Sequence, residues 1–109
     1  MVIHELSPAE AREALADEER RMDVVDLRTV AAYAAGHIAG ARLVDPSRLA
    51  ADPLQVPRDR EVLLYDDGSA STAVRAAAFV TALGWGDAYV LAGGFAAWAH
   101  QGLPVERRA

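Results

Sequence analysis

Val62 to Tyr65 is a short, unbroken apolar run, followed by the polar stretch Asp66 to Ser71 and then by apolar positions at helical spacing. The run is too short for a helix and has no amphipathic period, so it predicts a buried strand. From Ala73, the positions Ala73, Ala76, Ala77, Val80 and Leu83 follow the i, i+3, i+4, i+7 rule of one helix face, and Gly84 stops the helix. The segment between, Asp66, Asp67, Gly68, Ser69, Ala70 and Ser71, has turn composition throughout. Such a loop lies at the carboxyl end of a strand, facing the unpaired N–H groups and positive dipole end of the helix. Loops of this kind normally carry the chemistry of α/β proteins.

The remaining pattern repeats this alternation. Val2 to Leu6 predicts an edge strand. Ser7, Pro8 and Glu10 predict a capped helix start, with the helix running to about Glu18 and burying Ala11, Ala14 and Leu15. Asp23 to Leu27 predicts a second strand, and Val30 to Ala35 a short helix stopped by Gly36. His37 to Ala41 reads as a turn. Asp45 and Pro46 predict another helix start, extending to about Ala51. Ala88 to Leu91 predicts the last strand, and Phe95 to His100 a final helix after Gly93 and Gly94. Strands alternating with helices predict a largely parallel sheet covered on both faces.

At 109 residues the chain predicts one domain over residues 1–109. It contains no cysteine, which removes disulfides, thiolate metal sites and thiol nucleophiles. The net charge of −5 argues against nucleic acid or an anionic membrane as partner. No apolar run approaches the roughly 20 residues that span a bilayer, and no signal-like segment opens the chain, so the expected location is cytoplasmic. No cofactor and no metal are expected, the expected partner is an unidentified protein, and the oligomeric state stays open. All cationic side chains apart from histidine are arginine, and alanine is abundant, as in GC-rich bacterial genomes.

Several segments together resemble a known family. They are Asp26-Leu27-Arg28, Tyr33, the turn Gly36-His37-Ile38-Ala39-Gly40-Ala41, Leu64-Tyr65, Gly84-Trp85, Leu91-Ala92-Gly93-Gly94, Trp98, and Gly102-Leu103-Pro104-Val105. Their order and spacing are similar to those of a rhodanese-like domain over nearly the whole chain. The resemblance implies an α/β sandwich with a five-stranded, mainly parallel sheet and helices on both faces. Within it Asp26, Arg28, Gly36, His37, Gly40, Gly93, Gly94 and Trp98 are family structural positions. Active members carry a cysteine directly after the central strand, usually preceded by tyrosine. That cysteine takes a sulfane sulfur from a donor such as thiosulfate and passes it to a thiol or cyanide, with an arginine closing the loop. Here the cysteine position falls on Asp66, and Ser71 or Thr72 stands where the arginine would be. Arg75 lies further into the helix, placed to reach back.

The chemistry leads the same way. Sulfur transfer needs a polarisable thiolate that can hold a persulfide, and a carboxylate cannot form one. Asp66 instead can accept the N–H groups of loop and helix, making an anion-binding cradle into a satisfied turn. Asp67, Ser69 and Ser71 bring further acceptors to the same N–H groups. The reading is therefore a non-catalytic rhodanese-like domain serving as a binding, regulatory or structural module related to sulfur metabolism or signalling. The alternatives are an acidic-site enzyme using Asp66 and Asp67, with Asp26 and Mg²⁺, for phosphoryl chemistry, or a silent partner completing a sulfurtransferase. His37 is read as structural, bonded to backbone or to a carboxylate such as Asp26. Arg28 is read as one half of a bidentate pair tying the second strand to a loop. Phe95 and Trp98 are read as core, and Trp85 as an exposed contact residue.

Overall fold

The computed structural model describes residues 3–107. The elements in chain order are β1 (His4–Leu6), α1 (Pro8–Ala16), β2 (Asp23–Asp26), α2 (Val30–Ala35), β3 (His37–Ile38), β4 (Arg42–Leu43), β5 (Val62–Tyr65), α3 (Ser71–Ala82), β6 (Ala88–Leu91), α4 (Gly94–His100) and β7 (Val105–Glu106). Single 3-10 turns at Pro46–Arg48 and Pro53–Gln55 lie between β4 and β5. Five strands form one parallel sheet in the order β1-β6-β5-β2-β4. β3 and β7 form a separate two-stranded antiparallel pair.

β5 sits at the centre of the sheet, and its side chains alternate between two cores. Val62 and Leu64, with Val25, Leu27, Ala88 and Val90, pack against Ala73, Ala76, Ala77 and Val80 of α3. Leu63 and Tyr65, with Val24 and Leu91, pack on the other face against Ala11 and Ala14 of α1, Tyr33 of α2 and Trp98 of α4. Both faces of the central strand are covered, as its unbroken apolar run requires.

Several boundaries differ from expectation. Residue Val2 lies outside the described residues, and the edge strand begins at His4. The expected capping box is present, with Ser7 Oγ accepting from the Glu10 N–H and the Glu10 carboxylate accepting from the Ser7 N–H. The helix closes two residues early, however, with Asp17 already extended. Asp45 caps its turn through Ser47, but the expected helix to Ala51 is only a 3-10 turn over Pro46–Arg48. His37 and Ile38 form β3 rather than a turn, because β7 returns alongside them. The fifth sheet strand is β4, too short to show an alternating pattern.

Two side chains reverse their expected exposure. Leu83 stands past the last turn of α3 and is exposed. Trp85 is only 5% exposed, and its indole N–H donates to Val56 O at 3.0 Å while the Arg58 guanidinium lies over its ring. It fastens the long β4–β5 connection to the end of α3 and is not a contact surface.

Candidate functional site

The site is built where β5 ends. Leu64 faces α3, so two residues on Asp66 points the same way, toward the amino end of that helix. The Asp66 carboxylate is 4% exposed and accepts three backbone N–H bonds. Oδ1 takes those of Gly68 at 3.1 Å and Ala70 at 3.0 Å, and Oδ2 takes that of Ala73 at 3.0 Å. α3 has no side-chain cap from its own N-cap residue, Ala70, which stands in the left-handed region at φ +66°. The capping carboxylate comes instead from the strand. Asp67, Ser69 and Ser71 do not share this work. Asp67 is exposed, and the two serine hydroxyls bond to each other.

The other side of the loop is locked by α4. The N–H groups of Phe95 and Ala96 donate to the carbonyls of Asp66 and Asp67 at 2.9 and 3.0 Å. This approach needs Gly94, since a Cβ there would stand 2.6 Å from Gly68 N and 2.8 Å from Asp66 O. Two helix amino ends thus converge on one dipeptide: α3 on the Asp66 side chain and α4 on the backbone.

On the opposite sheet face, Asp26 and Tyr65 are paired in register across β2 and β5. The Tyr65 hydroxyl donates to Asp26 Oδ2 at 2.5 Å and accepts the Ile38 N–H at 3.1 Å. Arg28 reaches the same carboxylate through Nε and Nη2 and donates from Nη2 to Gly36 O at 2.6 Å. Its guanidinium lies 4.1 Å from the centre of the Phe95 ring. The expected bidentate pair is present, tying β2 to the end of α2. Burial, and then the Asp26 hydrogen bond, push the Tyr65 phenol far above its usual range.

His37 is buried and bonded to backbone, its Nδ1 donating to Tyr33 O at 2.7 Å while its ring stacks on Tyr33. The carboxylate near its Nε2 is Glu106, at 3.6 Å, not Asp26, whose oxygens are taken by Tyr65 and Arg28. Glu106 also accepts the Gly40 N–H. Trp98 is core, donating from its indole to Pro104 O. Arg75 does not reach back to the loop; it borders a depression with Pro46 and Phe79. Among the described residues, no three acidic or histidine side chains gather as metal ligands.

A shallow cavity of about 220 Å³ lies over the loop, bordered by Leu27, Arg28, Thr29, Asp66, Asp67 and Thr72. An anion entering it meets the carboxylates of Asp66 and Asp67, and the arginine present is already paired with Asp26. The sequence pattern alone does not single out the Tyr65 hydroxyl. Its signal was a tyrosine at the end of the strand beside one ending in Asp26.

The family model described as a rhodanese-like domain matches residues 7–101. The chain belongs to that family. It is 32% identical over 104 residues to a sulfurtransferase of Allochromatium vinosum, covering 95% of each chain. It is 38% identical to the thiosulfate sulfurtransferase GlpE of Pseudomonas fluorescens, over 84% of this chain and 81% of that one. Among solved structures, a thiosulfate sulfurtransferase from Pseudomonas aeruginosa superposes with a TM-score of 0.80 at 31% identity, covering 98% of this chain and 20% of that one. The rhodanese fold, the relation to sulfurtransferases and the absence of any cysteine therefore stand together in one chain. Among the described residues no helix is long and apolar enough to cross a membrane.

Proposed function

We propose that this rhodanese-like domain is non-catalytic and serves as a binding, regulatory or structural module in sulfur metabolism or signalling. The reading rests on one observation: the Asp66 carboxylate accepts the N–H groups of Gly68, Ala70 and Ala73. In a sulfurtransferase these donors would serve a persulfide and its anionic substrate. Here a tethered carboxylate uses them, and it can carry no sulfane sulfur. Asp67 adds a second negative charge at the mouth, where thiosulfate would have to enter.

The test is thiocyanate formation from thiosulfate and cyanide by the purified protein. Turnover at the level of buffer is expected, and measurable turnover dependent on the protein overturns the reading. Asp66→Cys restores a nucleophile and keeps the backbone donors, but leaves no loop cation for the substrate and keeps Asp67. Its expected gain is small. Robust activity from that one substitution would show that a cysteine is all that the site lacks.

A further inference from the structure

A second concave surface adjoins the cavity over the Asp66 loop, sharing Arg28 and Ala32 with it, and lies between α2, α4 and the chain segment that carries β7. It encloses about 430 Å³, room for about two large apolar side chains. Its walls are apolar: Ala35 from α2, Phe95 and Ala99 from α4, and Leu103 and Val105 from the returning segment. Arg107 and the Asp26-paired Arg28 border it, and no acidic residue among the described ones does. That is a marked departure in a chain with 16 acidic side chains against 11 arginines.

The charge is sorted by strand alternation. Val105 and Arg107 border the groove, while Glu106 between them faces His37 and Gly40 on the other side. Arg107 donates from Nε to Ala35 O at 3.1 Å and has no acidic partner among the described residues. The α2 residues that line the groove, Ala32 and Ala35, carry no charge. The surface therefore offers an apolar floor with the Arg107 guanidinium at its edge, since Arg28 is already paired with Asp26.

We infer that this groove docks a peptide segment of a partner protein in which apolar side chains alternate with carboxylates. The apolar groups fill the floor against Phe95, Leu103 and Val105, and a carboxylate pairs with Arg107. This rests on the reading of the domain as a binding module and names the chemistry of what it binds. A positively charged partner is disfavoured by the border, and a purely polar one leaves the floor wet.

The probe is a fluorescein-labelled hexapeptide of alternating aspartate and leucine, titrated by fluorescence polarisation. Its controls are a lysine–leucine and an aspartate–serine hexapeptide. Saturable binding of the first is expected, with both controls weaker by about tenfold or more. Arg107→Glu and Ala99→Glu, both at exposed positions that leave the core untouched, should each weaken it by a similar factor, and Arg107→Lys should retain most of it. Equal binding of the lysine peptide, or no effect of either glutamate variant in proteins with unchanged melting curves, overturns the proposal. So does the absence of saturable binding up to millimolar peptide. If the wild type sediments as a dimer that the glutamate variants dissociate, the occupant is a second copy and the peptide proposal falls. The thiocyanate assay on the same preparations separates the two readings, since turnover would sink the non-catalytic role without touching the groove.

Discussion

The Asp66 carboxylate accepts the backbone N–H of Ala73, seven residues further along the chain and in the first turn of the next helix. One side chain at the end of a buried strand thereby caps the helix that covers that strand. A carboxylate near a helix amino end is favoured by the dipole as well as by the bonds it accepts. Removing it strands three donors, of which the Ala73 N–H is buried. Asp66→Ala should lower the unfolding free energy by about 1–3 kcal/mol. Asp66→Asn keeps one acceptor oxygen but turns an amide donor toward one of the N–H groups, so its loss should be smaller. Urea titrations at neutral pH check the order wild type, asparagine, alanine. If the alanine variant matches wild type, the carboxylate has no capping role. Sulfate or phosphate at matched ionic strength should raise the stability of the alanine variant more than that of wild type, because only its donors are unoccupied.

Ala70 is the N-cap of α3 at φ +66°, held there by the bond from its N–H to Asp66. A Cβ in the left-handed region is strained, and glycine carries no such strain. Ala70→Gly should therefore stabilise the protein by roughly 0.5–1 kcal/mol, after the extra chain entropy of glycine is subtracted. A lower urea midpoint in the glycine variant would mean that the alanine side chain contributes more by packing than its backbone costs.

Much of this arrangement is legible in the residues alone. Val62 to Tyr65 and the Ala73 to Val80 face carry long enough patterns to place β5 and α3, and strand parity then aims Asp66 at the helix. β3, β4 and β7 are two residues each, below the length at which any period exists, and only the returning chain makes them strands. Trp85 departs from its expected exposure for a related reason. A single aromatic after a glycine has no period to say which way it points, and its partner Val56 lies 29 positions away. The Asp26–Tyr65 bond needs the register between β2 and β5, which apolar pattern alone leaves open.

Gly94 and Gly40 both have positive φ, +58° and +83°, but only Gly94 is crowded. A methyl at Gly94 would press on Gly68 N and Asp66 O, while one at Gly40 meets nothing within 4 Å. Gly40→Ala should then cost about 1–2 kcal/mol from its backbone alone. Gly94→Ala should cost more, by about 1–3 kcal/mol of overpacking, and should loosen the loop. Hydrogen exchange at the Phe95 and Ala96 amides reports this directly, since both donate to the loop. Equal losses in the two variants would mean that the contact between α4 and the loop contributes nothing.

Tyr65 offers a pH test of the buried bond to Asp26. Tyr65→Phe removes the donor to Asp26 and the acceptor for the Ile38 N–H, and should cost about 1–3 kcal/mol at pH 8. In the unfolded chain a tyrosine ionises near pH 10. In the fold, burial first and the Asp26 bond second hold the phenol protonated well beyond that. Above about pH 10 the unfolded state therefore binds fewer protons than the folded state, and stability falls as pH rises. The contribution of Tyr65 is complete below about pH 10 and shrinks by up to about 1.4 kcal/mol per pH unit above it, a slope that the phenylalanine variant lacks. Tyr89 is shifted upward too, by burial and then by its bond to Glu61, but it is present in both proteins and cancels in the difference. Urea midpoints of both proteins at pH 8, 10.5 and 11.5 should show the gap between them narrowing as pH rises. A gap that stays constant over that range would mean that the Tyr65 phenol ionises as readily in the fold as in the unfolded chain.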